Sequence, residues 1–338
     1  MINKKTIFVL GAGASCPCGY QSGAGLRGWI CLPGGFKKSY DEYLDRTKRA
    51  GADTSYLNDF VRIFRKSSRQ SIDLFIATNS KLASIGKYII AFAIFDSEQR
   101  SRFREEAKVT QEHYSHSPYG LNVESFLAKK YFQGDDWYSY LFNRLTSGLT
   151  KPDALPDFSD DKISFVTFNY DRSLEYFLYD SLSNSFTEVP ESEIIRCLKR
   201  LKILHVYGQI APLKWQDSEQ GVDYRPRIDE PLLQKSAANI KTIYEQKESP
   251  KLDEARELIA QAEQIYFLGF GYAPENMEIL KLPDRTKRTS WIYGTAFGLE
   301  KGELNDYRNQ IIEWLPVDSA ERVRVEDIDC LKLLRNYF

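Results

Sequence analysis

The chain has 338 residues, enough for a large buried core and for one elaborated domain or two. Its 46 Lys+Arg against 47 Asp+Glu leave a net charge of -1, so no global field draws it toward nucleic acid or an anionic membrane. Apolar runs such as Tyr88 to Phe95 are far shorter than a bilayer span and no leader is read ahead of the first strand, so the expectation is a soluble, cytoplasmic protein.

The first element is a buried strand, Thr6-Ile7-Phe8-Val9-Leu10, that runs straight into Gly11-Ala12-Gly13-Ala14-Ser15. Glycine lacks the Cβ that would hold a ligand away, so such a turn lets backbone N–H groups approach a pyrophosphate. The spacing is Gly-x-Gly without a third glycine in the dinucleotide-binding register, and ordinary strand-to-helix turns also use glycine. Both readings, nucleotide loop and structural corner, stay open on these residues alone. Cys16 and Cys18 flank Pro17; with Cys31, Cys197 and Cys330 they make five cysteines and no Cys-x-x-Cys pair. Neither a disulfide framework nor a zinc ribbon is indicated, and small residues in a glycine loop is a plainer reading than a redox pair.

From about Ser39 to Thr150 the pattern is helical. Ser71 or Asp73 can cap a helix through Leu74, Phe75 and Ile76, and Trp137, Leu141, Phe142 and Leu145 fall on one helical face. His113 and His116, three apart, read as surface or supporting residues because no carboxylate or cysteine partner stands in register. Pro152 and Pro156, among Asp153, Asp157, Asp160 and Asp161, mark a loop. Beyond it, Ile163 to Phe168, Leu201 to Val206, Gln264 to Leu268 and Trp291 to Tyr293 read as strands. Helical patterns lie between them, through Leu174, Phe177, Leu178 and Leu182 and from Leu252 to Ala262. Strand and helix in alternation predict a parallel sheet, whose ligands sit where the chain leaves the carboxyl ends of the strands.

Those ends read Gly11-Ala12-Gly13-Ala14-Ser15, Asn169-Tyr170-Asp171, His205-Val206-Tyr207-Gly208, Gly269-Phe270-Gly271 and Gly294-Thr295-Ala296. They bring approachable backbone beside an amide, a carboxylate and an imidazole. Taken singly, Asn169 and Asp171 also fit a helix cap before Leu174, and His205 fits a satisfied histidine at a strand edge.

The set resembles the sirtuin-like family, in particular the bacterial branch that hydrolyses NAD in antiphage defence. The matching stretches are Leu10 to Ser15 with Ser22-Gly23, Ser71 to Phe75, Thr167 to Glu175, Leu204 to Gly208, Phe267 to Tyr272 through Pro274-Glu275-Asn276, and Gly294 to Ala296, in order over nearly the whole chain. The resemblance implies that Gly11, Ala12, Gly13, Ala14 and Ser15 hold the NAD pyrophosphate. It puts Ser15, Asn169 and Asp171 around the nicotinamide and its ribose, and Gly269, Phe270, Gly271, Gly294 and Thr295 on the adenosine side. Cleavage at the ribose passes through an oxocarbenium-like centre, which an amide and a carboxylate can orient and stabilise. His205 is the strand-end group suited to accept a proton near neutral pH.

The zinc-bearing Cys-x-x-Cys pairs of the deacetylase branch have no counterpart, Phe168 stands where that branch has glutamine, and Ala24-Gly25-Leu26-Arg27 replaces its Ile-Pro-Asp-Phe-Arg. Val206 and Tyr207 also separate His205 from Gly208, unlike the deacetylase motif. Deacylation is thereby disfavoured and no metal is expected. The expectation is one α/β domain over 1–338, a Rossmann-like parallel sheet flanked by helices with a large, mostly helical insertion at about 39–150. Its expected activity is NAD hydrolysis to nicotinamide and ADP-ribose, with a catalytically silent NAD or ADP-ribose sensor and an ADP-ribosyl transferase as alternatives. An active NAD hydrolase endangers its own cell, so control by homo-oligomerisation or a separately encoded partner is expected, without nucleic acid or a membrane.

Overall fold

Thr6 to Leu10 carries buried side chains at both alternating sets of positions, the signature of a strand covered on both faces. The computed structural model describes residues 4–49, 51–101, 103, 136–151, 154–158, 162–243, 245, 249–280, 290–314 and 320–338. Its strands are β1 (Thr6–Leu10), β2 (Ile163–Thr167), β3 (Lys202–His205), β4 (Gln264–Leu268), β5 (Trp291–Thr295) and β6 (Val323–Glu326). They form one parallel six-stranded sheet in the order β3-β2-β1-β4-β5-β6, the expected α/β, Rossmann-like architecture. The chain steps outward from β1 to β2 and β3, then returns to β4 on the other side of β1. That reversal is the switch point at which such sheets open a crevice.

Two details differ from the sequence reading. β5 runs on to Thr295, so Gly294 and Thr295 lie in the strand and not beyond it. β6 was not anticipated, because Val323-Arg324-Val325-Glu326 alternates apolar with charged residues over only four positions at a sheet edge.

Period-two alternation divides the core. Ile7, Val9, Val166, Ile265, Phe267 and Ile292 join one cluster, while Phe8, Leu10, Phe165, Tyr266, Leu268 and Tyr293 join the other. The first cluster takes in residues of the helices Gly23–Cys31, Phe36–Arg46, Ser55–Lys66, Ile72–Thr78 and Ala83–Arg100. Every described element between β1 and β2 is helical, and the helical part starts ahead of Ser39. Gly23, Gly25 and Gly28 hide the helix Gly23–Cys31 from propensity reasoning. Ser22 caps it by accepting from Gly25 N at 3.1 Å, and Trp29 and Ile30 pack it down. Ser71, not Asp73, caps Ile72–Thr78. Trp137–Thr146 belongs to the opposite cluster, where Trp137 Nε1 donates to Ala14 O at 2.8 Å. His113 and His116 lie outside the described residues, and so does the metal reading attached to them.

The insertion is fastened to the sheet by a buried ion pair. Arg172, which follows Asp171, is fully buried and meets Glu98 through Nε–Oε1 at 2.8 Å and Nη2–Oε2 at 3.1 Å. Its remaining N–H groups donate to the carbonyls of Pro212, Val222 and Asp223 at 3.2, 2.8 and 2.6 Å. All the donors of the guanidinium fork are thereby used. Burial pushes the Glu98 carboxyl above its ordinary value, against the pull of Arg172. Removing one partner strands the other charge in the interior. Arg172→Met is therefore expected to lose about 3–5 kcal/mol in urea unfolding, and Arg172→Met with Glu98→Leu to recover part of that loss. A single variant as stable as the parent would show that the pair fastens nothing.

Candidate functional site

At the carboxyl ends of β1 and β2, Ser15, Asn169 and Asp171 form one hydrogen-bonded cluster. Ser15 Oγ donates to Asp171 Oδ2 at 2.8 Å and accepts from Asn169 Nδ2 at 3.1 Å. Asn169 Nδ2 also donates to Gly11 O at 2.9 Å. A backbone carbonyl can only accept, so this bond fixes which way the amide points. Both Nδ2 hydrogens are spent, and no hydrogen bond reaches Asn169 Oδ1 among the described residues. Asn169 is 8% exposed, and this oxygen is not among the sealed, unpartnered polar atoms. The cluster thus presents one accessible acceptor.

Asp171 also accepts through Oδ1 from the backbone N–H of Ser173 at 3.0 Å and from its hydroxyl. The helix-start role and the cluster role coexist in one carboxylate. Burial raises the Asp171 pKa more than the bonds from Ser173 and Ser15 lower it, and the charge of Glu175 raises it further. Ser173 Oγ lies 2.8 Å from Tyr138 Oη, so the insertion buttresses the cluster from behind. On the other side Tyr170 Oη donates to Asp73 Oδ1 at 2.6 Å, which gives the Ser71 to Phe75 motif a contact with the Asn169 segment.

His205 ends β3 with both ring nitrogens occupied. Nδ1 donates to Asn169 O at 2.8 Å, and Nε2 faces Glu175 Oε1 at 2.7 Å, an oxygen that also accepts from Gln209 at 2.9 Å. Burial works against a charged imidazole, but the Glu175 carboxylate, the Asn169 carbonyl and Asp171 outweigh it and raise the pKa. The ring therefore tends to the imidazolium that donates at both ends. In this arrangement neither nitrogen is free to take a proton, which departs from the expectation of a ready general base.

The glycines face one another. Gly13 N donates to Gly269 O at 3.0 Å, Gly11 N to Leu268 O at 3.0 Å and Ala14 N to Gly11 O at 2.9 Å. These N–H groups, expected to cradle a pyrophosphate, are already bonded within the protein. A Cβ on Gly13 would lie 2.8 Å from Gly269 Cα, and one on Gly269, at φ +55°, 2.0 Å from Ala14 N. A side chain at Gly13 is therefore expected to disturb the fold as well as any ligand, because glycine here serves backbone packing between the β1 and β4 turns. Gly271 is different: a Cβ there meets nothing within 4 Å. Ala12 is half-buried.

Thr295 Oγ1 accepts from Gly269 N at 2.8 Å, and Gly294 gives room to Tyr272 Oη. Phe270 is core: its ring packs edge-on against Phe168 at 5.1 Å, and Phe168 in turn meets Tyr207 at 5.4 Å. The structure thus joins Gly11, Ser15, Asn169 and Asp171 directly, links His205 through backbone, and holds Thr295 beneath the Gly269 turn. Sequence reasoning passed over Glu175, Gln209, Asp73 and Arg172 as site-supporting residues. Three of them lie in quoted motifs, but their partners are far away in sequence and unmarked by spacing.

Among the described residues no group of three or more His, Cys, Asp or Glu is placed to hold a metal ion, and no helix is long and apolar enough to cross a membrane. Comparison with protein-family models, characterised proteins and solved structures finds no match.

Two outcomes follow from this geometry. Gly269→Ala is expected to cost about 1–3 kcal/mol in chemical denaturation, whereas Gly271→Ala stays within about 0.5 kcal/mol of the parent. Equal stability of the two would remove the packing role. The second concerns pH. With a raised pKa in the folded state, His205 gives stability that is complete below its unfolded pKa of about 6.5 and is lost as pH rises through the folded value. Glu175→Gln removes the main cause of the shift. The melting-temperature gap between parent and variant is thus expected to narrow from about pH 6 upward, and parallel curves would exclude the coupling.

Proposed function

We propose that the chain is an NAD glycohydrolase that releases nicotinamide and ADP-ribose, with Asn169 at the reacting centre. The observation that carries this reading is the fixed amide of Asn169, whose Oδ1 has no hydrogen-bond partner among the described residues while Ser15 and Gly11 lock its nitrogen. A carbonyl oxygen held in this way offers the negative end of a dipole to the positive charge that develops at the ribose carbon. The glycosidic carbon–nitrogen bond breaks with its electron pair passing to the nicotinamide ring. A water oxygen then bonds to the ribose carbon and releases one proton. Ser15 and Asp171 hold the amide in place through the transition, and Ala12 and Gly271 are the backbone positions suited to the phosphates.

His205 accepts the released proton only after its Nε2 has left Glu175 and given up its own proton to solvent, which leaves a lone pair on that nitrogen. The contact acts as a latch that keeps resting activity low, in keeping with an effector of antiphage defence that depletes NAD when a partner or self-assembly triggers it. The same contact favours a second reading, an NAD or ADP-ribose sensor without turnover, if the latch never opens.

Incubation of the purified protein with NAD, with nicotinamide followed over time, separates the two. Asn169→Ala is expected to lower turnover by about 10²–10³-fold. Glu175→Gln is expected to raise it at neutral pH, because loss of the carboxylate lowers the His205 pKa and leaves more of the imidazole neutral. No nicotinamide from either the parent or Glu175→Gln, with NAD still bound, would leave the sensor reading. A fall in turnover with Glu175→Gln would make Glu175 a helper of the base and not its restraint.

A further inference from the structure

A groove of about 430 Å³ lies away from the cluster, along the helix Ser173–Ser185. Its walls include two nearly parallel aromatic pairs. Tyr176 and Tyr224 have centroids 3.8 Å apart at 8°, and Tyr179 and Trp215 6.2 Å apart at 13°. The volume falls within the range of small-molecule sites, and flat aromatic walls suit a flat ligand. The charges are asymmetric. Asp223 is neutralised by Lys214 at 2.6 Å, but Glu191 accepts only the Tyr179 hydroxyl and has no ion-pair partner among the described residues. Among the described residues one carboxylate of the groove is therefore left without an ion-pair partner, and while Arg172 and Arg225 already lie over the Tyr224 ring, the Tyr179 and Trp215 rings stand beside that carboxylate.

The groove is also built into the frame of the candidate site. Tyr176 follows Glu175, which holds His205, on the helix whose first residue bonds Asp171. The opposite wall hangs from Arg172, which takes the carbonyls of Pro212, Val222 and Asp223.

We propose that this groove is a second small-molecule site, for a planar cationic nitrogen compound stacked on the Tyr179–Trp215 wall and paired with Glu191. The site is read by binding alone, so it stands or falls independently of NAD turnover.

The test uses three probes of one shape and different charge, benzamidinium, benzamide and benzoate, titrated calorimetrically into the full chain. Benzamidinium is expected to bind saturably, about tenfold more tightly than benzamide, with benzoate weakest, as one near-surface charge pair predicts. Glu191→Gln, a change at an exposed helix start that leaves the fold intact, is expected to bring benzamidinium down to the affinity of benzamide. Trp215→Leu is expected to weaken both probes, and Asn169→Ala neither. The proposal is overturned by absence of saturable benzamidinium binding up to about 10 mM, by a cation preference that survives Glu191→Gln, or by loss of binding in Asn169→Ala, which would place the probe at the cluster instead.

Discussion

The rest of the structure depends on the buried guanidinium of Arg172. A charge at this depth is tolerable only if every donor is matched, and the match comes from two distant stretches: Glu98 of the insertion, and the loop beyond β3 through the carbonyls of Pro212, Val222 and Asp223. Because Arg172 directly follows Asp171, whatever fixes the guanidinium also fixes the segment that carries Asn169 and Asp171. The insertion is thus more than a cover over the sheet. It supplies the counter-charge that holds the candidate site in register, and Tyr138 and Asp73 add hydrogen bonds to the same segment from two sides.

The sheet was legible in the sequence because its central strands are buried on both faces and end in residues that cannot continue a ladder cheaply. Phe8 and Val9 stop at Gly11, Phe165 and Val166 at Asn169, and Phe267 and Leu268 at Gly269. Aligning these ends predicts that Ser15, Asn169 and Asp171 meet, as they do, since parallel neighbours in register bring Leu10 opposite Thr167. What spacing cannot reveal is a partner chosen by three-dimensional packing. Arg172 and Glu98 are separated by 74 positions and His205 and Glu175 by 30, in different elements. β6 escaped because a short edge strand half in solvent carries the same pattern as a loop.

Glycine shows the limit most clearly. Gly11, Gly13 and Gly269 were legible as positions where a Cβ is not allowed, and that much holds. The sequence alone does not say what comes close. A ligand and a neighbouring backbone impose the same requirement, and here the neighbour is the opposite turn of the switch point, joined by the Gly13–Gly269 hydrogen bond. The crevice that a reversed strand order opens is therefore pinned shut at its root. Any nucleotide must sit further out, over Ala12, Gly271 and the mouth of the Asn169 cluster, where backbone is less crowded.

The first two turns of the helix Ser173–Ser185 then take on connected meaning. Its first turn holds Asp171 through Ser173 and His205 through Glu175, and its next turn carries Tyr176 and Tyr179 into a solvent-facing aromatic groove. A rigid helix cannot shift at one turn without shifting at the next, since its side chains are fixed to a common backbone ladder. A backbone displacement of this helix under Tyr176 would carry Glu175 with it, since the two residues are adjacent in the chain. A hydrogen bond of 2.7 Å is lost over a displacement of about 1 Å. Freeing the imidazole therefore needs no large rearrangement, only a change in what this helix rests against.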